Sequence, residues 1–156
     1  MGWPLKIVDS HCHLDFDKFD EDFVDVIERA KKSGVSKILT ICTKKNQLIK
    51  NIDICNRNKF IFFAYGMHPL NIGKEEIKIS EIEKISNNNK MIAIGETGLD
   101  YFYNKDNINL QKKSFIDHIE LSKKTNLPLI IHSRDADKDM EQILKTEYLK
   151  QPFNSV

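Results

Sequence analysis

Short apolar clusters alternate along the chain with longer amphipathic stretches, at a period of roughly 30 residues. The clusters at 6–13, 36–43, 60–65, 91–95 and 127–132 are rich in β-branched residues and bounded by turn or polar residues, which predicts strands. Between the first two, Phe19, Phe23, Val26, Ile27 and Ala30 fall on one helical face. Asp20, Glu21 and Asp22 stand in its first turn, where the helix dipole favours anions. Weaker helical patterns cover 46–58, 75–86, 107–125 and 135–145, and Pro128 marks the end of the fourth. The polar run Asn87-Asn88-Asn89-Lys90 reads as a loop.

Strand and helix in strict alternation, with no hairpin signal, imply right-handed crossovers and a parallel sheet buried on both faces. The run Phe60-Ile61-Phe62-Phe63-Ala64 fits such burial. No GxGxxG follows the first strand, which argues against a dinucleotide-binding fold. Eight units of the observed length would make about 250 residues, the usual size of a closed barrel. The expected fold is therefore α/β, a TIM-type (β/α) barrel, incomplete, with about the first five βα units of eight, and residues 1–156 forming one domain.

Composition narrows the function. With 24 Lys plus Arg against 23 Asp plus Glu, the 156-residue chain has no global basic field, so any phosphate binding must come from a local site or a bound metal. The paired lysines at 31/32, 44/45, 112/113 and 123/124 are expected on solvated faces. No apolar run approaches the ~20 residues of a membrane helix, and no charged segment leads into an apolar one at the start. Cys12, Cys42 and Cys55 form no CxxC pair or disulfide framework, which predicts reduced thiols and a cytoplasmic protein.

Residues able to bind metal recur at the C-terminal ends of successive predicted strands. The first ends in Asp9-Ser10-His11-Cys12-His13, where strand alternation puts His11 and His13 on one side and Cys12 on the other. The third runs into Gly66-Met67-His68-Pro69, the fourth into Gly95-Glu96-Thr97-Gly98-Leu99-Asp100, and the fifth ends in His132-Ser133-Arg134. A parallel barrel brings all of these to one mouth. Any one of them could be structural, but their joint placement points to a divalent metal site. Imidazoles with a carboxylate suit Mn or Zn better than Ca. A carboxylate shared between two ions would suit water activation and in-line displacement at phosphorus. His118, in the fourth helical stretch, is expected to pack structurally.

With these residues assembled, the sequence resembles the TatD family of metal-dependent deoxyribonucleases, within the amidohydrolase-like superfamily. The resemblance rests on Ile7-Val8-Asp9-Ser10-His11-Cys12-His13-Leu14, Gly66 to Pro69, Gly95 to Tyr101 and Leu127 to Arg134, in that order. It implies hydrolysis of DNA phosphodiester bonds, in the manner of a 3′ exonuclease, with two divalent ions (Mg, Mn or Zn). By resemblance, His11 and His13 hold the first ion, His132 the second, and Glu96 bridges both as the catalytic carboxylate. His68 and Arg134 lie where the family contacts substrate, Tyr101 is placed to pack on a sugar or base, and Asp9 and Asp100 orient ligands or loops.

The family's sixth-strand histidine and late aspartate have no counterpart here. Phe153 to Val156 resembles the start of that sixth strand. The mapping leaves the first ion three of four protein ligands and the second two of three. An incomplete barrel with two open edges is expected to be marginally stable, aggregation-prone or dependent on a partner. Two alternatives stand beside DNA hydrolysis. One is a metal-dependent hydrolase of another ester or amide, with RNA or D-aminoacyl-tRNA as substrate; the other is a catalytically incomplete half-barrel. No membrane partner is expected.

Overall fold

The computed structural model describes residues 6–153. Five strands, β1 (Ile7–Cys12), β2 (Val35–Cys42), β3 (Ile61–Tyr65), β4 (Met91–Asp100) and β5 (Leu129–Arg134), form one sheet in the order β1-β2-β3-β4-β5. Every pair is parallel. Helices α1 (Phe23–Lys32), α2 (Leu48–Arg57), α3 (Ile79–Ile85) and α4 (Ile108–Thr125) make the crossovers, and α5 (Asp137–Lys150) follows β5. This is the expected half-barrel. Residues 154–156, which carry most of the resemblance to a sixth strand, lie outside the described residues.

Alternation along the strands separates two apolar layers. Ile38, Cys42, Ile61, Phe63, Tyr65 and Ile94 pack with the helices, whereas Leu39, Ile41, Ala64 and Ala93 pack among themselves on the inner face. Central strands therefore read as continuous apolar runs. The edge strand β1 differs, with Ile7 and Val8 exposed.

Several boundaries depart from the sequence expectation. The first helix begins at Phe23 rather than Phe19, which sits in a 3-10 turn at Asp17–Phe19. Asp22 becomes its boundary residue and is held by Arg29 at 3.0 Å. The third begins at Ile79, where the Glu81 carboxylate accepts the Lys78 N–H, leaving Ile77 to enter the core ahead of the helix. Strand β4 runs on to Asp100 because Gly98, Leu99 and Asp100 pair with His132, Ser133 and Arg134.

One lysine corrects the expectation of solvated faces. Lys123 has a side chain only 3% exposed, ion-paired with Glu120 at 2.6 Å and with the equally buried Glu147 of α5 at 3.2 Å. Packing of α5 across α4 excludes water there, and a buried charge requires such partners.

Candidate metal centre

Two local irregularities aim the metal-facing side chains. The β4–β5 register jumps from Gly95↔Ile130 to Thr97↔Ile131, so Glu96 is an extra residue without a partner on β5. The β1–β2 register slips between Asp9↔Ile38 and Cys12↔Thr40, around His11. Bulges of this kind re-aim a side chain at the rim of a sheet. Asp9 steadies the irregularity in β1 by accepting the His11 N–H at 3.1 Å. After His13 the chain is anchored by Leu14, whose N–H donates to the buried Thr40 hydroxyl, which in turn donates to Asn51 of α2.

The result is two clusters that share one carboxylate. His11, His13 and Glu96 form one, and His68, Glu96 and His132 the other, with candidate ligand atoms within 4.8 Å of one another in each. His11 Nε2 lies 3.3 Å from Glu96 Oε2, and His132 Nδ1 lies 3.3 Å from Oε1. His68 Nε2 also faces Oε1, at 3.6 Å. Cys12 turns away and packs with the helix-side core.

Hydrogen bonds decide which imidazole nitrogen presents a lone pair. His13 Nδ1–H donates to the Ile41 carbonyl at 2.9 Å, leaving Nε2 free. His132 Nε2–H donates to Asp100 Oδ2 at 3.0 Å, leaving Nδ1 to face Glu96. His68 has the opposite arrangement. Its Nδ1 accepts the Leu70 N–H at 3.1 Å, so the neutral ring carries its proton on Nε2, which donates to His132 Nδ1 at 3.2 Å. The second cluster thus contains two groups able to ligate, Glu96 and His132, and one N–H donor, His68.

Burial pushes the Glu96 carboxyl towards neutrality, but the imidazoles of His132, His68 and His11 outweigh it and hold the group well below the ordinary carboxylate range. The same contest at the buried Asp100 is won by the Tyr103 N–H, His132 and the Phe102 N–H, so that carboxyl also stays ionised. His132 is raised, chiefly by Glu96 and then by Asp100. An ionised, mostly buried carboxylate beside the lone pairs of His13 Nε2 and His132 Nδ1 fits a divalent cation such as Zn or Mn.

Helix α4 fixes two of the strand ends that carry these groups. Gln111, fully buried, accepts the Asp100 N–H at 2.7 Å and donates to the carbonyls of Asp100 and Asn104. His118 accepts the Met67 N–H at 3.0 Å and donates from Nδ1 to the Ser114 carbonyl, so it holds the residue next to His68. Its expected packing role is thereby a hydrogen-bonding one. Lone histidines on apolar helix faces carry no sequence mark of such a partner 51 residues away.

Burial depresses His118 from 6.5 to about 4. Unfolded, it takes up a proton near pH 6.5; folded, it resists until about pH 4. The unfolded state binds more protons across that window, so stability falls as pH drops from 6.5 to 4, by roughly 3 kcal/mol from this group. Urea unfolding from pH 7 to pH 4 should show a shallower acid loss in His118→Gln than in the wild type. Superimposable profiles would refute a neutral, buried imidazole.

The remaining expected residues are also placed. Tyr101 is half-buried, and its hydroxyl donates to Asp139 of α5 at 2.7 Å. Arg134 stacks on Phe102 and Tyr103, a grouping that sequence reading missed because the partners lie on different elements. The three thiols are unpaired, and burial pushes each up to about 12. No described helix is long and apolar enough to cross a membrane.

Comparison with known proteins identifies the family and the fold. A family model described as TatD related DNase matches residues 8–154. An uncharacterized metal-dependent hydrolase of Buchnera aphidicola subsp. Baizongia pistaciae (strain Bp) is 39% identical over 94% of this chain and 57% of its own. The uncharacterized metal-dependent hydrolase YabD of Bacillus subtilis (strain 168) is 38% identical over 90% and 56%. Among solved structures, YjjV, a TatD homologue of Escherichia coli K12, superposes with a TM-score of 0.84 at 27% identity, over 92% of this chain and 57% of that one. The chain therefore spans a little over half the length of these relatives.

Proposed function

Because the chain belongs to the TatD related DNase family, whose members it resembles as a metal-dependent hydrolase, we propose that its site serves two-metal hydrolysis of DNA phosphodiester bonds, acting from the 3′ end. One observation carries this reading: Glu96 turns one carboxylate oxygen to His11 and the other to His132, each at 3.3 Å, as a group shared between two ions would. His11, His13 and Glu96 would hold the first ion; Glu96 and His132 would hold the second. Divalent ions held there supply Lewis-acid charge to phosphoryl oxygens.

The protein's own groups do the positioning. Asp100 keeps the His132 proton on Nε2 and so keeps Nδ1 available as a ligand. The Ile41 carbonyl does the same for His13 Nε2. His68, with its proton on Nε2, would donate to a non-bridging phosphate oxygen, and the Arg134 guanidinium would suit a neighbouring phosphate. The three thiols, none in a disulfide, support a cytoplasmic setting.

The test is a 3′-labelled single strand incubated with Mn²⁺, Mg²⁺ or Zn²⁺. Stepwise loss from the 3′ end, abolished by EDTA and reduced at least about 100-fold by His11→Ala, is the expected result. Equal rates for His11→Ala and the wild type would overturn the assignment. Preferential turnover of D-aminoacyl-tRNA would move it to another ester.

A further inference from the structure

The turn after β4 presents two large aromatic side chains that the metal chemistry leaves unused. Phe102 and Tyr103 are 47% and 63% exposed, and their rings meet edge to face with centroids 4.6 Å apart. The Arg134 guanidinium carbon lies 4.5 Å from the Phe102 centroid and 4.6 Å from that of Tyr103. Tyr103 keeps most of its surface in solvent even with this cation against it.

This turn is tied to the site by a single carboxylate. Asp100 Oδ1 accepts the N–H groups of Phe102 at 3.1 Å and Tyr103 at 2.7 Å, while Oδ2 accepts His132 Nε2–H. Asp100 is fully buried. The aromatic pair and the metal-facing imidazole therefore hang from the two oxygens of one immobile group, and their separation is set by the fold. Across the sheet, Arg134 pairs with Asp100 itself.

We propose that Phe102, Tyr103 and Arg134 form a stacking shelf for an unpaired nucleobase of the strand whose phosphate lies at the metal centre. The inference rests on the nuclease reading and deepens it to single-stranded nucleic acid. Exposed aromatic rings with a guanidinium against both match the two features every nucleotide offers, a π surface and an anionic phosphate. A paired base has its faces covered by neighbours, so the shelf selects frayed or single-stranded ends.

Two labelled oligonucleotides separate this shelf from a merely structural stack: one carries all its bases, and the other carries abasic sugars at its last nucleotides. Binding is read by fluorescence anisotropy in EDTA, so that cleavage plays no part. The wild type should bind the base-bearing strand about tenfold more tightly. Tyr103→Leu should bring that ratio towards one, and Tyr103→Trp should restore it. The backbone N–H bonds to Asp100 survive both changes. A structural defect would weaken both strands together and leave the ratio unchanged, which would overturn the shelf, as would a wild type indifferent to the bases. Metal-dependent cleavage of the same strands reads the nuclease assignment separately. Cleavage without base preference overturns the shelf alone, whereas base preference without cleavage supports the shelf and overturns the nuclease reading.

Discussion

Glu96→Ala is expected to abolish divalent-metal binding at both clusters at once. Each cluster keeps only imidazoles when this carboxylate is removed, because Glu96 is the one group common to both. Altering even a residue that merely orients a ligand lowers metal affinity about 10- to 100-fold, so loss of a shared ligand should exceed about 100-fold. Calorimetric titration with Mn²⁺ or Zn²⁺ reads this directly. Thermal unfolding gives an independent check, since an ion that binds only the folded state raises the midpoint. That rise should vanish in Glu96→Ala, and its persistence would show that the metal binds elsewhere. Any hydrolysis through the site should disappear with it.

The second large effect is on the fold. Gly98→Ala should destabilise the chain by about 4 kcal/mol, the sum of backbone strain and steric overlap of a few kcal/mol each. Gly98 has φ +135°, a conformation that L side chains rarely adopt. An added Cβ would collide with the His132 carbonyl, with the next nearest His132 backbone atom only 3.0 Å away. That collision bears on the backbone of a proposed ligand, so metal affinity should fall along with the unfolding midpoint. The midpoint should drop by roughly 10 °C. Gly73 is a useful control: its φ is also positive, at +84°, but an added Cβ meets only the Asn107 side chain, at 3.2 Å. Gly73→Ala should therefore cost less and leave metal binding intact. Equal losses in the two variants would refute the steric argument.

Much of this protein was legible before folding. Apolar clusters of β-branched residues located all five strands, since burial on both faces leaves a continuous run that needs no partner to be recognised. His11, His13, Glu96 and His132 stood out because successive strand ends in a parallel barrel must converge. Their convergence on Glu96 follows that logic. Helix starts were less legible. Phe19 fits the apolar face of α1 by spacing, yet it belongs to the preceding 3-10 turn. Lys123 reads as solvated until α5 packs over it.

What the sequence determined by itself is the order of elements, the chemistry of the ligand set and the end of the sheet where that set gathers. These depend on the periodicity and side-chain type of neighbouring residues, which are local. Only the tertiary structure decided where the strand registers slip, so that His11 and Glu96 sit at bulges. It also decided the protonated nitrogens of His13, His68 and His132, which makes two of them candidate ligands and the third a donor. The same holds for the stack of Arg134 on Phe102 and Tyr103. Most of these depend on partners from separate elements, the Ile41 carbonyl for His13 and Asp100 for His132 among them, and no local pattern encodes a contact that exists only after the sheet has formed.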